Sequence, residues 1–140
     1  MFDKILLAVD GSEHGSRAAQ MAGALAREMK SAELCIVVVY DLIPPYIGDP
    51  YIQYVIDARF KDARAVLDIA LANVGEIPGK LQSELLEGSP AEAIVTVANT
   101  RKSDVIVIGS RGLGRLAGAL LGSTSQKVIS HAPCPVLVVR

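Results

Sequence analysis

The chain has 140 residues, 51% hydrophobic and 21% charged, with a net charge of −1. That is one domain's length with enough apolar material for a core, so a disordered chain is excluded. Lys plus Arg total 14 against 15 Asp plus Glu, which leaves no basic excess for a nucleic-acid surface.

The apolar runs are only a few residues long, so no membrane insertion is expected. The opening Met1-Phe2-Asp3-Lys4-Ile5 does not read as a signal peptide. The two cysteines, Cys35 and Cys134, form no CxxC pair. A cytoplasmic chain with reduced thiols is expected.

In chain order, Lys4-Ile5-Leu6-Leu7-Ala8-Val9 is a short apolar run ended by Asp10-Gly11-Ser12, as suits a strand buried on both faces. Ser12 is placed to cap a helix in which Ala18, Ala19, Ala22, Leu25 and Ala26 recur at helical spacing. Leu34 to Val39 is a second buried strand, followed by a loop with Pro44, Pro45, Gly48 and Pro50. A long helix is expected over 52–73, with Val55, Ala58, Ala65, Val66, Ile69 and Ala70 as its apolar face.

Lys80 to Glu87 is a third, partly alternating strand, and Ser89-Pro90-Ala91-Glu92 reads as a capping box with Pro at the first helical position. That helix runs to about Thr100, and Asp104 to Ile108 is a fourth strand. Gln126-Lys127-Val128-Ile129 reads as the start of a last helix, and Val136 to Val139 as a fifth strand. No linker or repeat divides residues 1–140, so one domain is expected. Alternating strands and helices imply right-handed crossovers and an α/β sandwich: an open, mostly parallel five-stranded sheet, order 3-2-1-4-5, with helices on both faces. Ligands of such Rossmann-like sheets sit beyond the carboxyl ends of the strands, at the switch in strand order. Asp10, Gly109 and the end of the second strand at Val39 all fall at that edge.

The richest chemistry lies in Gly109-Ser110-Arg111-Gly112 and, nine residues on, Gly122-Ser123-Thr124-Ser125. Five of the chain's 12 glycines (Gly109, Gly112, Gly114, Gly118, Gly122) fall in this stretch. Glycines allow close backbone approach and positive φ, and hydroxyl residues at a helix start supply donors where N–H groups point at anions. Arg111 and Arg115 add positive charge. A phosphate-binding loop is the expectation, against the blander reading of a flexible connection.

It is not a Walker A loop, since the one Gly-Lys, Gly79-Lys80, is followed by Leu81. Gly112-Leu113-Gly114-Arg115-Leu116-Ala117 matches G-x-G-x-x-[GA], yet no acid lies about 20 residues on to hold a ribose. Asp10 reads as an Asx-turn residue when taken alone. At the same sheet edge as the glycines, it reads instead as a ligand for a ribose hydroxyl or for a Mg²⁺ bridging phosphates.

The pattern Gly109-x2-Gly112-x9-Gly122-Ser123 resembles the nucleotide-binding signature of the universal stress protein family, in its ATP-binding branch. The opening Ile5-Leu6-Leu7-Ala8-Val9-Asp10-Gly11-Ser12 and the ending His131-Ala132-Pro133-Cys134-Pro135-Val136-Leu137-Val138-Val139 are similar to that family's first and last segments. The resemblance implies that Asp10 contacts the ribose or a metal, that Val39 pairs with adenine through its backbone, and that Gly109 lets the ribose approach. Gly112, Gly122, Ser123 and Thr124 would ring the triphosphate, with Arg111 in the same loop. Thr124 stands where the family commonly has a small apolar residue, a change that keeps the backbone N–H. The resemblance also implies a homodimer through the last strand, with tetramers left open.

The function expected is binding of ATP, with Mg²⁺, by a small stress-response or regulatory protein whose occupancy changes its protein partner. Two alternatives stay open: a slow ATPase or phosphotransferase, and a nucleotide-sensing subunit of a transporter or kinase complex. No catalytic base is evident. A triad of Asp10, Ser12 and His14 is disfavoured because the residues are too close along one turn. His131 reads as a helix-end residue. The four tyrosines, Tyr40, Tyr46, Tyr51 and Tyr54, read as part of a segment packed over the sheet edge, or as a lid or partner patch.

Overall fold

The computed structural model describes residues 1–111 and 121–140. Among these, strands and helices alternate as β1 (Lys4–Val9), α1 (Glu13–Met29), β2 (Glu33–Tyr40), α2 (Tyr51–Val74), β3 (Lys80–Glu87), α3 (Pro90–Arg101), β4 (Val105–Gly109), α4 (Ser123–His131) and β5 (Val136–Val139). The strands form one sheet in the order β3-β2-β1-β4-β5, and every neighbouring pair is parallel. This is the 3-2-1-4-5 sandwich that the sequence predicts.

The central strands read as continuous apolar runs because both their faces are covered. Side chains alternate along a strand. Ile5, Leu7 and Val9 of β1 join Ile36 and Val107 under α1 and α2. Leu6 and Ala8 join Cys35, Val37, Ile106 and Ile108 on the opposite face, with Ile94 and Val97 of α3 and Val128 of α4. Among the described residues no helix is long and apolar enough to cross a membrane.

The Ser12 cap forms, its Oγ accepting from the Gly15 N–H at 3.1 Å. At the other end of α1 Lys30 turns left-handed (φ 51°), and its N–H bonds back to the last carbonyls. Gly23 sits where α1 presses on α2: a Cβ there would lie 2.3 Å from the Val74 carbonyl oxygen. Only a residue without a side chain admits that approach.

Three local expectations are corrected. The capping box at Ser89 does not form, since that side chain makes no cap bond; only the Ser89 backbone carbonyl takes part, accepting from Ala93 N–H. α2 turns a different stripe inward: Ala63, Leu67, Ala70 and Val74 are its buried residues, while Ile69 is 57% exposed. Finally, α4 begins three residues before Gln126, with Gly122 as N-cap, and this places Ser123 and Thr124 inside the first helical turn.

Candidate functional site

The topology opens at one place. From β1 the chain runs outward through β2 and β3, and then returns to add β4 and β5 on the other side. Beyond the carboxyl ends of β1, β2 and β4 lies a cleft of about 590 Å³, within the range of small-molecule sites.

All seven described positions singled out in the sequence line it. Asp10, Arg111, Gly122, Ser123 and Thr124 lie on one side with Gly109 at the end of β4, and Val39 lies at the end of β2 as the seventh. Gly112 falls outside the described residues, as do Gly114, Arg115 and Gly118.

Each position has a local cause. The Asp10 carboxylate accepts from Ser12 N–H at 3.0 Å, as in an Asx turn. Asp10 is exposed and lines the cleft at the same time, so the two readings of it are compatible.

β2 outlasts β1: their ladder ends at Val9 with Val38, whereas β2 and β3 stay paired through Tyr40 with Glu87. The Tyr40 carbonyl accepts from Gly88 N–H on the β3 side. Backbone groups alternate sides along a strand, so the Val39 N–H and C=O face the β1 side, where the β1–β2 ladder ends.

Across the cleft, Gly122 at the head of α4 offers no side-chain cap. The first-turn N–H groups have no intrahelical partner and carry the positive end of the helix dipole. Gly122 itself has φ −72°. Its glycine is therefore not required by a left-handed backbone, contrary to the general expectation of positive φ. The hydroxyl of Ser125 does not face a ligand: it is buried and donates to the Gly109 carbonyl at 2.8 Å.

Gly109 is a close-packing glycine. A Cβ there would meet His14 Cβ at 2.8 Å and the His14 carbonyl carbon at 2.9 Å. The start of α1 thus rests on the end of β4, a role additional to any ribose approach.

Sequence reasoning passed over the cleft's other wall. Tyr40 and Asp41 follow Val39, and Arg59, Asp62, Ala63 and Val66 come from α2. Arg59 reaches back to Asp41, donating to its carbonyl at 3.3 Å and approaching its carboxylate at 3.8 Å. With Asp41 87% exposed, the ion pair contributes little energy. The available signal was the Ala63, Leu67, Ala70, Val74 stripe, which fixes how α2 is rotated and so which residues reach the sheet edge.

His14 lies away from Ser12 chemistry. Its Nδ1 is 2.7 Å from Ser110 Oγ, while Ser12 Oγ is committed to its cap and to the Arg111 carbonyl at 3.4 Å. His131 is the last residue of α4, its ring 2.9 Å from the Lys127 carbonyl. Tyr40 packs against the core, but Tyr46, Tyr51 and Tyr54 are exposed, so the packed-segment reading holds for Tyr40 alone. Among the described residues no group of three or more His, Cys, Asp or Glu is arranged to hold a metal. Asp10 on its own suits an ion that keeps waters and phosphate oxygens as its other ligands, as Mg²⁺ does.

The family model described as the universal stress protein family matches residues 1–140. A universal stress protein of Thermus aquaticus is 46% identical over 140 residues, covering all of both chains. The solved structure of the universal stress protein UspA from Lactobacillus plantarum superposes with a TM-score of 0.86 at 28% identity, covering 99% of this chain and 98% of that one. A universal stress protein solved in complex with cAMP gives a TM-score of 0.71 at 25% identity, covering 99% and 97%.

Proposed function

The chain belongs to the universal stress protein family, and from that premise we propose that its cleft binds ATP with Mg²⁺ and that occupancy selects a protein partner. The observation that carries the reading is the pairing of two unlike ends within one cleft. At one end, the uncapped start of α4 and Arg111 offer N–H groups and positive charge to an anion. At the other, the Val39 backbone offers a donor and an acceptor side by side. A nucleotide has this polarity, with phosphates at one end and a hydrogen-bonding base at the other. The relative solved in complex with cAMP supports an adenine nucleotide as the ligand.

In this reading Gly122, Ser123 and Thr124, with Gly112, ring the phosphates. Gly109 borders the ribose, and Asp10 takes a ribose hydroxyl or a phosphate-bound Mg²⁺. The bound metal screens phosphate charge from the Asp10 carboxylate. The protein binds rather than turns over its nucleotide. Of the groups near the start of α4, Ser125 is tied into the backbone, His14 is turned to Ser110, and Asp10 is taken up by the ribose or the metal in this reading. Binding without added transition-state stabilisation does not accelerate chemistry.

We assign a homodimer through β5. Among the described residues that strand pairs with β4 alone and leaves an apolar, partly exposed edge of the kind that chains bury. A cytoplasmic location completes the proposal.

Mass spectrometry of the gently purified native protein tests it, with retained ATP or a related adenine nucleotide expected. Gly122→Val should remove that nucleotide without unfolding the chain. At φ −72° a β-branched residue is tolerated by the backbone, yet its side chain stands at the head of α4, where the phosphates would lie. A folded Gly122→Val protein that retains nucleotide normally contradicts the site.

A further inference from the structure

Three consecutive residues that lead out of β4 are each held by the first turn of α1. Gly109 receives the α1 backbone at His14 and Gly15. Ser110 Oγ lies 2.7 Å from His14 Nδ1, with the imidazole tautomer deciding which atom donates. The Arg111 carbonyl accepts from Ser12 Oγ at 3.4 Å.

The same three-residue segment is tied to the head of α4. Gly122 N–H donates to the Ser110 carbonyl at 2.6 Å, and Ser125 Oγ donates to the carbonyls of Gly109 at 2.8 Å and Ser110 at 3.3 Å. The two flanks of residues 112–120 thus form a hydrogen-bonded neck, with Ser110 at its centre. Ser110 is 2% exposed. A hydroxyl so buried needs a partner, and His14 supplies it from outside the cleft, which His14 does not line.

We infer that His14 is a positioning residue: through Ser110 it locks this neck and so fixes the phosphate-facing start of α4 relative to Arg111 and Asp10. The inference rests on the nucleotide reading above for its ligand, but not for its mechanics. Removing either partner breaks this tie between α1 and Ser110, and the neck is then held more loosely around the Gly122 and Ser125 bonds. Among the described residues, no hydrogen bond joins His14 to the far wall on β2, where the adenine end would lie. The effect therefore falls on ligands in proportion to their phosphates.

The test uses the full chain with His14→Ala, Ser110→Ala and His14→Asn. Asn places an amide near the Nδ1 position and either donates or accepts there. Hydrogen exchange on nucleotide-free protein is the first arm. His14→Ala should speed exchange at Ser110 and at 122–125 and leave β1 and β2 unchanged, with His14→Asn restoring protection. Calorimetry is the second arm. His14→Ala should weaken Mg²⁺-ATP about tenfold, the size of one lost hydrogen bond, while adenosine binding moves by less than about twofold. Ser110→Ala should do the same, with little further loss in the double variant.

Unchanged exchange at the neck overturns the inference whatever the ligand. So does faster exchange with unchanged ATP affinity, or an equal loss for ATP and adenosine. A wild-type protein that binds neither ligand contradicts the proposed function instead, and the exchange arm still decides whether His14 locks the neck.

Discussion

At Gly109 a hydrogen in place of a methyl group lets α1 sit on the end of β4. Gly109→Ala would drive a Cβ to 2.8 Å from His14 Cβ, and the next contacts, His14 C and Gly15 N, are backbone atoms that cannot swing aside. The expected cost is about 1–3 kcal/mol, the usual range for overpacking, read as a lower urea midpoint at unchanged slope. A variant as stable as wild type would contradict the close-packing role.

Cys35 makes a second residue-scale prediction. Burial pushes its thiol up to about 11, and the Glu84 and Glu33 carboxylates add to that push while the Arg101 guanidinium opposes it. The unfolded thiol ionises near 9.0. Stability contributed by keeping the folded thiol neutral is therefore fully present below pH 9. It is lost as pH rises toward 11, because there the unfolded chain has released a proton that the folded one retains. Wild type should lose stability relative to Cys35→Ala between pH 9 and 11, by about 2 kcal/mol at most. Parallel denaturation curves for the two proteins across that interval would refute the assignment.

Among the elements, strands were the most legible. Ile5 to Val9, Leu34 to Val38 and Val105 to Ile108 are buried on both faces, so their sequence is unbroken apolar residue and needs no partner to be recognised. Helix rotation was harder. Alanines and β-branched residues lie all around α2, and its inward stripe is set by where α1 and the sheet stand rather than by the chain itself. The cleft wall of Arg59 and Asp62 was lost with that rotation. Caps divided by geometry: Ser12 turns onto Gly15, whereas Ser89, with the right residues around it, leaves its hydroxyl unused. On the phosphate side the glycine spacing pointed to Gly109 and Gly122, but no spacing reveals that Gly109 is empty for the sake of α1.

The last strand carries the prediction at this scale. β5 lies in register along β4, from Ile106 with Val136 to Gly109 with Val139, and Ser110 N–H donates to the Val139 carbonyl at 2.7 Å. Ending the chain after Pro135 removes that strand, uncovers β4 and loosens the neck. Light scattering and circular dichroism should find aggregated or unfolded protein. A soluble, well-folded monomer would show that β5 is dispensable.

Over the whole molecule, strand order decides where chemistry is possible. Reversal of the winding between β1 and β4 leaves a gap that no crossover fills. Into it the fold turns an uncapped helix start from one side and the Val39 backbone, at the end of β2, from the other. The central claim is that these two features together read an adenine nucleotide. One N–H beside one C=O matches the acceptor and donor on adenine's edge, while guanine presents the opposite pair. Calorimetric titration with Mg²⁺-ATP and Mg²⁺-GTP under identical conditions tests this most directly. The account predicts one ATP per chain, bound at least about tenfold more tightly than GTP. Equal affinities, or no binding of either nucleotide, would contradict it.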